Sequence, residues 1–270
     1  MLPVALLWDV EQKVKLYREQ AVVLRTVRLG EADRIVSLLT FGRGKVRAVA
    51  KGIRKTTSRV GGRLEPMSHV ALQCWAGREL DVVTQVEVID HFRLVREDLG
   101  GLSQALSMLE VSDQVAQEGQ PCPQLYSMLV RALKTLASSS SPLVAPAYFW
   151  KVLALEGSLP VLDACATCGK PEEGSTTLVA FDMVQGGALC RSCRQGLAVS
   201  PDALKLVRRI LNGDLSAVLA ESPGPAGAEM ARLAGYALEA HLDRRLKTLH
   251  YGYSLGTGAS PSPACPQASL

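Results

Sequence analysis

Two Cys-x-x-Cys pairs, Cys165-Ala-Thr-Cys168 and Cys190-Arg-Ser-Cys193, stand 21 residues apart in this chain, and no other feature restricts its fold as tightly. Each pair turns two thiolates toward one point. Four converging thiolates make a tetrahedral site for zinc, each sulfur about 2.3 Å from the ion. Protein then fills all four coordination positions and none is left for water, so the expected role is structural: one Zn2+ ties together two hairpins that could not bury a core alone. A redox dithiol suits one such pair rather than two at this spacing. The remaining cysteines, Cys74, Cys122 and Cys265, are scattered, and an odd total of seven is no disulfide framework. This usage points to the cytoplasm.

A chain of 270 residues exceeds what one small core usually holds, so two domains and a minor third module are expected. With 47% hydrophobic and 21% charged residues, the composition excludes a disordered or collagen-like chain. No uncharged apolar run reaches the roughly 18 residues that would mark a membrane span. Residues 1–19 open with Met-Leu-Pro-Val-Ala-Leu-Leu-Trp but carry no basic region before the apolar stretch, and read as an N-terminal extension rather than a secretory signal.

The net charge of +4 conceals a lopsided distribution. Between Arg25 and Arg63 eleven basic residues face only Glu31 and Asp33, so this segment carries +9 and the rest of the chain −5. From Thr40 to Arg63, no acidic residue balances eight basic ones. Such asymmetry calls for a polyanionic partner, against the plainer reading of a solvated face.

Short strands are expected over 21–28, 34–41, 45–51, 68–75 and 80–89, broken by glycine-flanked turns such as Gly42-Arg43-Gly44. The strand Lys45–Lys51 alternates, with Lys45, Arg47 and Lys51 on one face and Val46, Ala48 and Ala50 on the other. Five short strands suggest a small barrel, placed at 20–90. The texture then turns helical over 91–250, with helices expected at 94–118, 124–137, 146–156, 201–211 and 228–249 and the cysteine module at 160–198. Ser200 before Pro201 is a helix start, and Ser222–Gly227 reads as a linker. Residues 251–270, rich in Gly, Ser, Pro and Ala, are expected to be disordered. The fold class is therefore α+β: a small closed or half-closed five-stranded barrel, then an α-helical domain with an inserted four-cysteine zinc module.

Catalytic motifs are missing. Gly44-Lys45 is followed by Val46, with Leu39 where a phosphate-binding loop needs its first glycine. His69, His91, His241 and His250 form no metalloprotease or deaminase pattern. No catalytic residue is assigned. What remains is a cationic barrel whose only aromatics, Phe41 and Trp75, could both lie in its core. That favours backbone binding with little sequence preference and strong salt dependence.

The residues also carry a family resemblance. Val23-Leu-Arg-Thr, Gly30-Glu-Ala-Asp-Arg-Ile-Val, Gly44-Lys with Ala48-Val-Ala-Lys-Gly, Gly61-Gly-Arg-Leu-Glu-Pro66 and Gln85-Val-Glu-Val resemble the N-terminal half of the bacterial DNA repair family RecO. Leu159-Pro, both cysteine pairs, Val199-Ser200-Pro201 and His241-Leu-Asp-Arg-Arg-Leu-Lys247 resemble its second half, so the likeness covers roughly 20–250. It implies an OB-fold barrel, a central helical domain and a zinc-binding module in a non-enzymatic recombination mediator of the RecF pathway. Such a protein binds single- and double-stranded DNA, anneals complementary strands, and with RecR helps load RecA onto strands coated with single-stranded-DNA-binding protein (SSB). It also implies capture of the acidic SSB C-terminal tail by the helical part, and a nucleoid-associated cytoplasmic location. Some relatives lack the cysteines, which makes zinc scaffolding. DNA contact carries over onto Arg34, Lys45, Arg47, Lys51, Arg54, Lys55, Arg59 and Arg63, with Arg25 and Arg28 as candidates for the same surface. A zinc-containing RNA-binding accessory factor of the ribosome or transcription machinery stays open as the alternative, since a basic barrel plus zinc would look alike.

Overall fold

Alternation of buried and outward side chains builds five strands in the first part of the chain: β1 (Leu16–Leu29), β2 (Asp33–Thr40), β3 (Gly44–Ala50), β4 (His69–Trp75) and β5 (Asp81–Asp90). The computed structural model describes residues 16–53, 61–174 and 176–249. The five strands close into a barrel in the order β1-β2-β3-β5-β4, and β4 returns to β1. Only β3 and β5 run parallel; the other pairs are antiparallel. This is the small five-stranded barrel that the alternation and turns led us to expect, and it is OB-like, as the family resemblance implied. Its interior holds Val23, Val36, Leu38, Val46, Ala48, Val70, Leu72 and Val86, and each larger aliphatic chain buried there contributes roughly 1.5–3 kcal/mol.

One boundary differs. β1 begins at Leu16, inside the stretch 1–19 read as an extension, and Leu16–Val22 pair with Trp75–His69 of β4. The charged Arg18 and Glu19 hide the alternation there, but Tyr17 points inward and its hydroxyl donates to Asp81. β1 reaches both neighbours because its register shifts between Val23 and Arg25, where Leu24 is the extra residue of a bulge. Residues 1–15 lie outside the described part.

The chain divides into two compact units: Met1–His91 with Glu118–Pro121, and Phe92–Gln117 with Cys122–Leu270. The second unit is helical, with α1 (Arg93–Glu97), α2 (Leu99–Val115), α3 (Pro123–Ser138), α4 (Val144–Leu155), α5 (Pro201–Leu211), α6 (Leu215–Ala220) and α7 (Gly224–Leu242). Between α4 and α5 lies the cysteine module, a sheet of β6 (Leu178–Asp182), β7 (Gly187–Cys190) and β8 (Leu197–Ala198) in the order β7-β6-β8.

The helix expected over 94–118 is two. Asp98 interrupts it and caps α2 by accepting from the Gly101 N–H at 2.6 Å. A Cβ on Gly101 would sit 2.9 Å from the Asp98 carboxylate, which is what the glycine avoids. α4 is apolar except for Lys151 and correspondingly mostly buried, with Trp150 fully enclosed and edge-on to Phe181 of β6. α7 starts within the stretch read as a linker, and ends at Leu242, with Asp243 as its left-handed cap, rather than near Leu249. The carboxylates of Glu239 and Glu110 take the N–H groups of Leu246, Lys247 and Thr248, so the chain turns away from the helix path. The expected tail 251–270 lies outside the described residues. No helix among the described residues is long and apolar enough to cross a membrane.

Candidate nucleic-acid face and candidate metal centre

The outer side of β1, β2 and β3 is a three-strand surface ordered by register. Arg25, Ser37 and Arg47 are cross-strand neighbours in one row, and Val27, Ile35 and Val49 are neighbours in the next. Val27 is 47% exposed, and Ile35 and Val49 are half-buried. A cationic row thus lies beside an aliphatic one on the same face. Alternation along β3 turns Lys45 and Arg47 outward, with Val46, Ala48 and Ala50 inward, and leaves Lys51 exposed just past the strand. Such a surface can pair guanidinium and ammonium groups with phosphates while the aliphatic row meets apolar parts of a ligand.

The residues assigned to DNA from the sequence do not all share this face. Arg34 lies on the side of β2 that also carries Val36 and Leu38, and pairs with Glu65 at 3.2 Å. Arg47 is 3.8 Å from Glu118, a residue that also bridges to Gly44 and Lys45. Arg63 donates from Nη1 to the Val86 carbonyl at 3.1 Å. Arg54, Lys55 and Arg59 lie outside the described residues.

Phe41 and Trp75, for which burial was allowed, are instead 51% and 47% exposed. Phe41 sits in the β2–β3 turn, and Trp75 is paired with Leu16 at the end of β4. Near the same strand end the Arg43 guanidinium lies 4.0 Å over the Tyr17 ring and 3.9 Å from Glu19. The Val27–Ile35–Val49 row escaped the sequence because the bulge at Leu24 reverses the phase of β1. Alternation counted from Ala21 puts the wrong residues outside.

In the second unit the sulfurs of Cys165, Cys168, Cys190 and Cys193 all lie within 4.8 Å of one another, and Cys168 Sγ is 3.8 Å from Cys190 Sγ. Four thiolates at about 2.3 Å from one tetrahedral ion would be about 3.8 Å apart, so the cluster matches the expected zinc chemistry. The first pair sits on a narrow hairpin closed by the Cys165 N–H to the Lys170 carbonyl at 2.8 Å and by the Ala164–Pro171 bridge. The second pair follows β7 through a 3-10 turn at Arg191–Cys193. Burial pushes the Cys165 thiol up, but hydrogen bonds from the backbone of Cys190, Cys168 and Thr167 outweigh it and bring the group down to about 6. Cys193 is pushed up to about 12, first by its hydrogen bond with Cys168 and then by desolvation. The Cys165 thiolate is favoured and that of Cys193 disfavoured, an imbalance that a bound dication would remove by attracting all four sulfurs.

Elsewhere the chemistry is sparse. His69 is buried; His91 and His241 make side-chain hydrogen bonds to Ser68 and Ser158, at 3.3 Å and 2.9 Å; and His250 lies outside the described residues. Among the described residues the four cysteines are the one group with metal-ligating geometry.

Comparison with known families adds two matches, one to each part of the chain. Residues 14–92, which hold the barrel, match the family described as Recombination protein O N terminal, and residues 96–250 match Recombination protein O C terminal. The closed barrel and the helical, cysteine-bearing unit are thus both accounted for, and the chain belongs to the recombination protein O (RecO) family of DNA recombination and repair mediators.

Proposed function

We propose that this chain binds single- and double-stranded DNA through the outer face of β1–β2–β3, anneals complementary strands, and with RecR helps load RecA onto SSB-coated single strands. The observation that carries this reading is the cationic row Arg25–Ser37–Arg47 beside the aliphatic row Val27–Ile35–Val49. Phosphates of either strand type meet Arg25, Lys45, Arg47 and Lys51, whereas only unpaired bases can reach the aliphatic row. Arg63 and Arg34 contribute at the edge, Arg34 after exchanging Glu65 for phosphate. Annealing requires two polyanions side by side, and a row of cations lowers their repulsion.

Cys165, Cys168, Cys190 and Cys193 would hold one structural Zn2+, which fixes the two hairpins and takes no part in strand exchange. The surface between β8 and α7 is lined by apolar Leu197, Val199, Leu233 and Tyr236 with Arg232, and by Glu229, whose carboxylate is engaged by Ser200; it offers an apolar seat and one cation to an acidic SSB tail. Annealing of SSB-coated complementary oligonucleotides, with and without RecR, tests the reading. Faster annealing than SSB alone permits, with RecR-dependent RecA loading, supports it; absence of both rejects it.

A further inference from the structure

The cysteine hairpin is gripped from outside by an arginine that the sequence did not single out. Arg208, on α5, is 22% exposed, and its guanidinium meets both arms of the first hairpin. On the ascending arm, Nη2 donates to the Leu162 carbonyl and Nε lies 3.1 Å from Asp163 Oδ1. On the descending arm, Nη2 donates to Glu172 Oε2. The arms are already joined by the Glu172 N–H to the Asp163 carbonyl at 2.9 Å. The guanidinium therefore closes the base of the loop that carries Cys165 and Cys168.

The network also reaches the second pair. Glu172 Oε1 accepts from the Leu178 N–H at 3.4 Å, and Leu178 is the register partner of Cys190 across β6 and β7. One planar group with several fixed donors thus links α5, the first cysteine loop and the strand beside the second.

We propose that Arg208 is the positioning residue of the metal centre: it presets the separation of the two Cys-x-x-Cys pairs so that four sulfurs converge before the ion arrives. The proposal rests on the zinc reading above. A metal site whose outer supports are preset loses less order on binding, and removing such a support typically weakens affinity about 10–100-fold.

The test is zinc competition between the full-length protein and a chromophoric chelator, for the wild type, Arg208→Met, Arg208→Lys and Glu172→Gln. Arg208→Met and Glu172→Gln should each weaken zinc affinity at least about tenfold, with Arg208→Lys between them and wild type because it keeps charge without the fork. The gain in melting temperature on adding zinc should shrink in the same order. A purely structural role would instead lower the melting temperature equally with zinc and with chelator, leaving zinc affinity within about twofold of wild type. That result overturns the proposal. Should Arg208→Met fail to fold, unchanged zinc affinity in Glu172→Gln overturns it equally. A wild-type chain that takes up no zinc rejects the metal reading itself, which is a separate outcome.

Discussion

The barrel and the cysteine module are held together by different physics. In the barrel a continuous aliphatic interior, from Ala21 and Val23 through Leu38 to Val86, is enclosed by consecutive hairpins that the β1–β4 and β3–β5 pairings close, and the exposed cations sit outside it. The cysteine module has only short strands, β8 being two residues long. Its β6 and β7 are largely buried, with Phe181 edge-on to Trp150 of α4, but the cysteine hairpins themselves are held by backbone bridges and by the Arg208 ion pairs around the four gathered sulfurs. Where burial suffices, the outer surface is free to carry charge for a ligand. Where it does not, the charged and ligating groups become the scaffold.

Removing the metal should separate the two regions most sharply. On the proposed zinc reading, chelation, or Cys168→Ser, withdraws a structural ion whose apparent binding energy is on the order of 10 kcal/mol. Amides of 160–198 should lose protection in hydrogen exchange while those of β1–β5 keep theirs. Parallel loss in β1–β5 would break the comparison. The next largest effects come from packing. Trp150→Ala should cost about 3–5 kcal/mol and Leu38→Ala about 2–5 kcal/mol in denaturant titrations, since both side chains are fully enclosed. The second should affect DNA binding only through the fraction of barrel folded.

Smaller still, and confined to the surface, is neutralisation of Lys45, Arg47 and Lys51 to Gln. The log–log salt dependence of single-strand binding should flatten by about 0.7 per lost phosphate contact, with zinc content and melting temperature unchanged. An unaltered slope removes β3 from the interface. The least effect is expected at Glu221, whose carboxyl is held below its usual range by a hydrogen bond from Arg209. A depressed group stabilises the fold above its unfolded value, and that contribution disappears as pH falls through the folded one. Glu221→Gln should therefore make a slight difference near neutrality and none in strong acid, and salt should reduce it. Melting curves across pH check this.

Much of this was legible in the residues. β2, β3, β4 and β5 fall within a residue or so of the stretches marked by alternation and turns. Ser200 caps α5 through the Ala203 N–H, as the Ser-Pro start implied. Less legible were features set by a single distant partner. Tyr17 belongs to the barrel because its hydroxyl finds Asp81, and α7 stops at Leu242 because Glu110, on α2, and Glu239 take the following N–H groups.

By itself the sequence determined the class of each half, the cysteine quartet and the cationic character of the barrel. Periodicity, ligand spacing and charge are local properties that survive without knowing what packs where. Only the tertiary structure decided which cations share a face with Val27, Ile35 and Val49, which one is paired inward with Glu65, and that Arg208 grips the cysteine hairpin. Those outcomes turn on a one-residue bulge and on contacts between segments far apart in the chain, where a shift of one position sends a side chain to the opposite face.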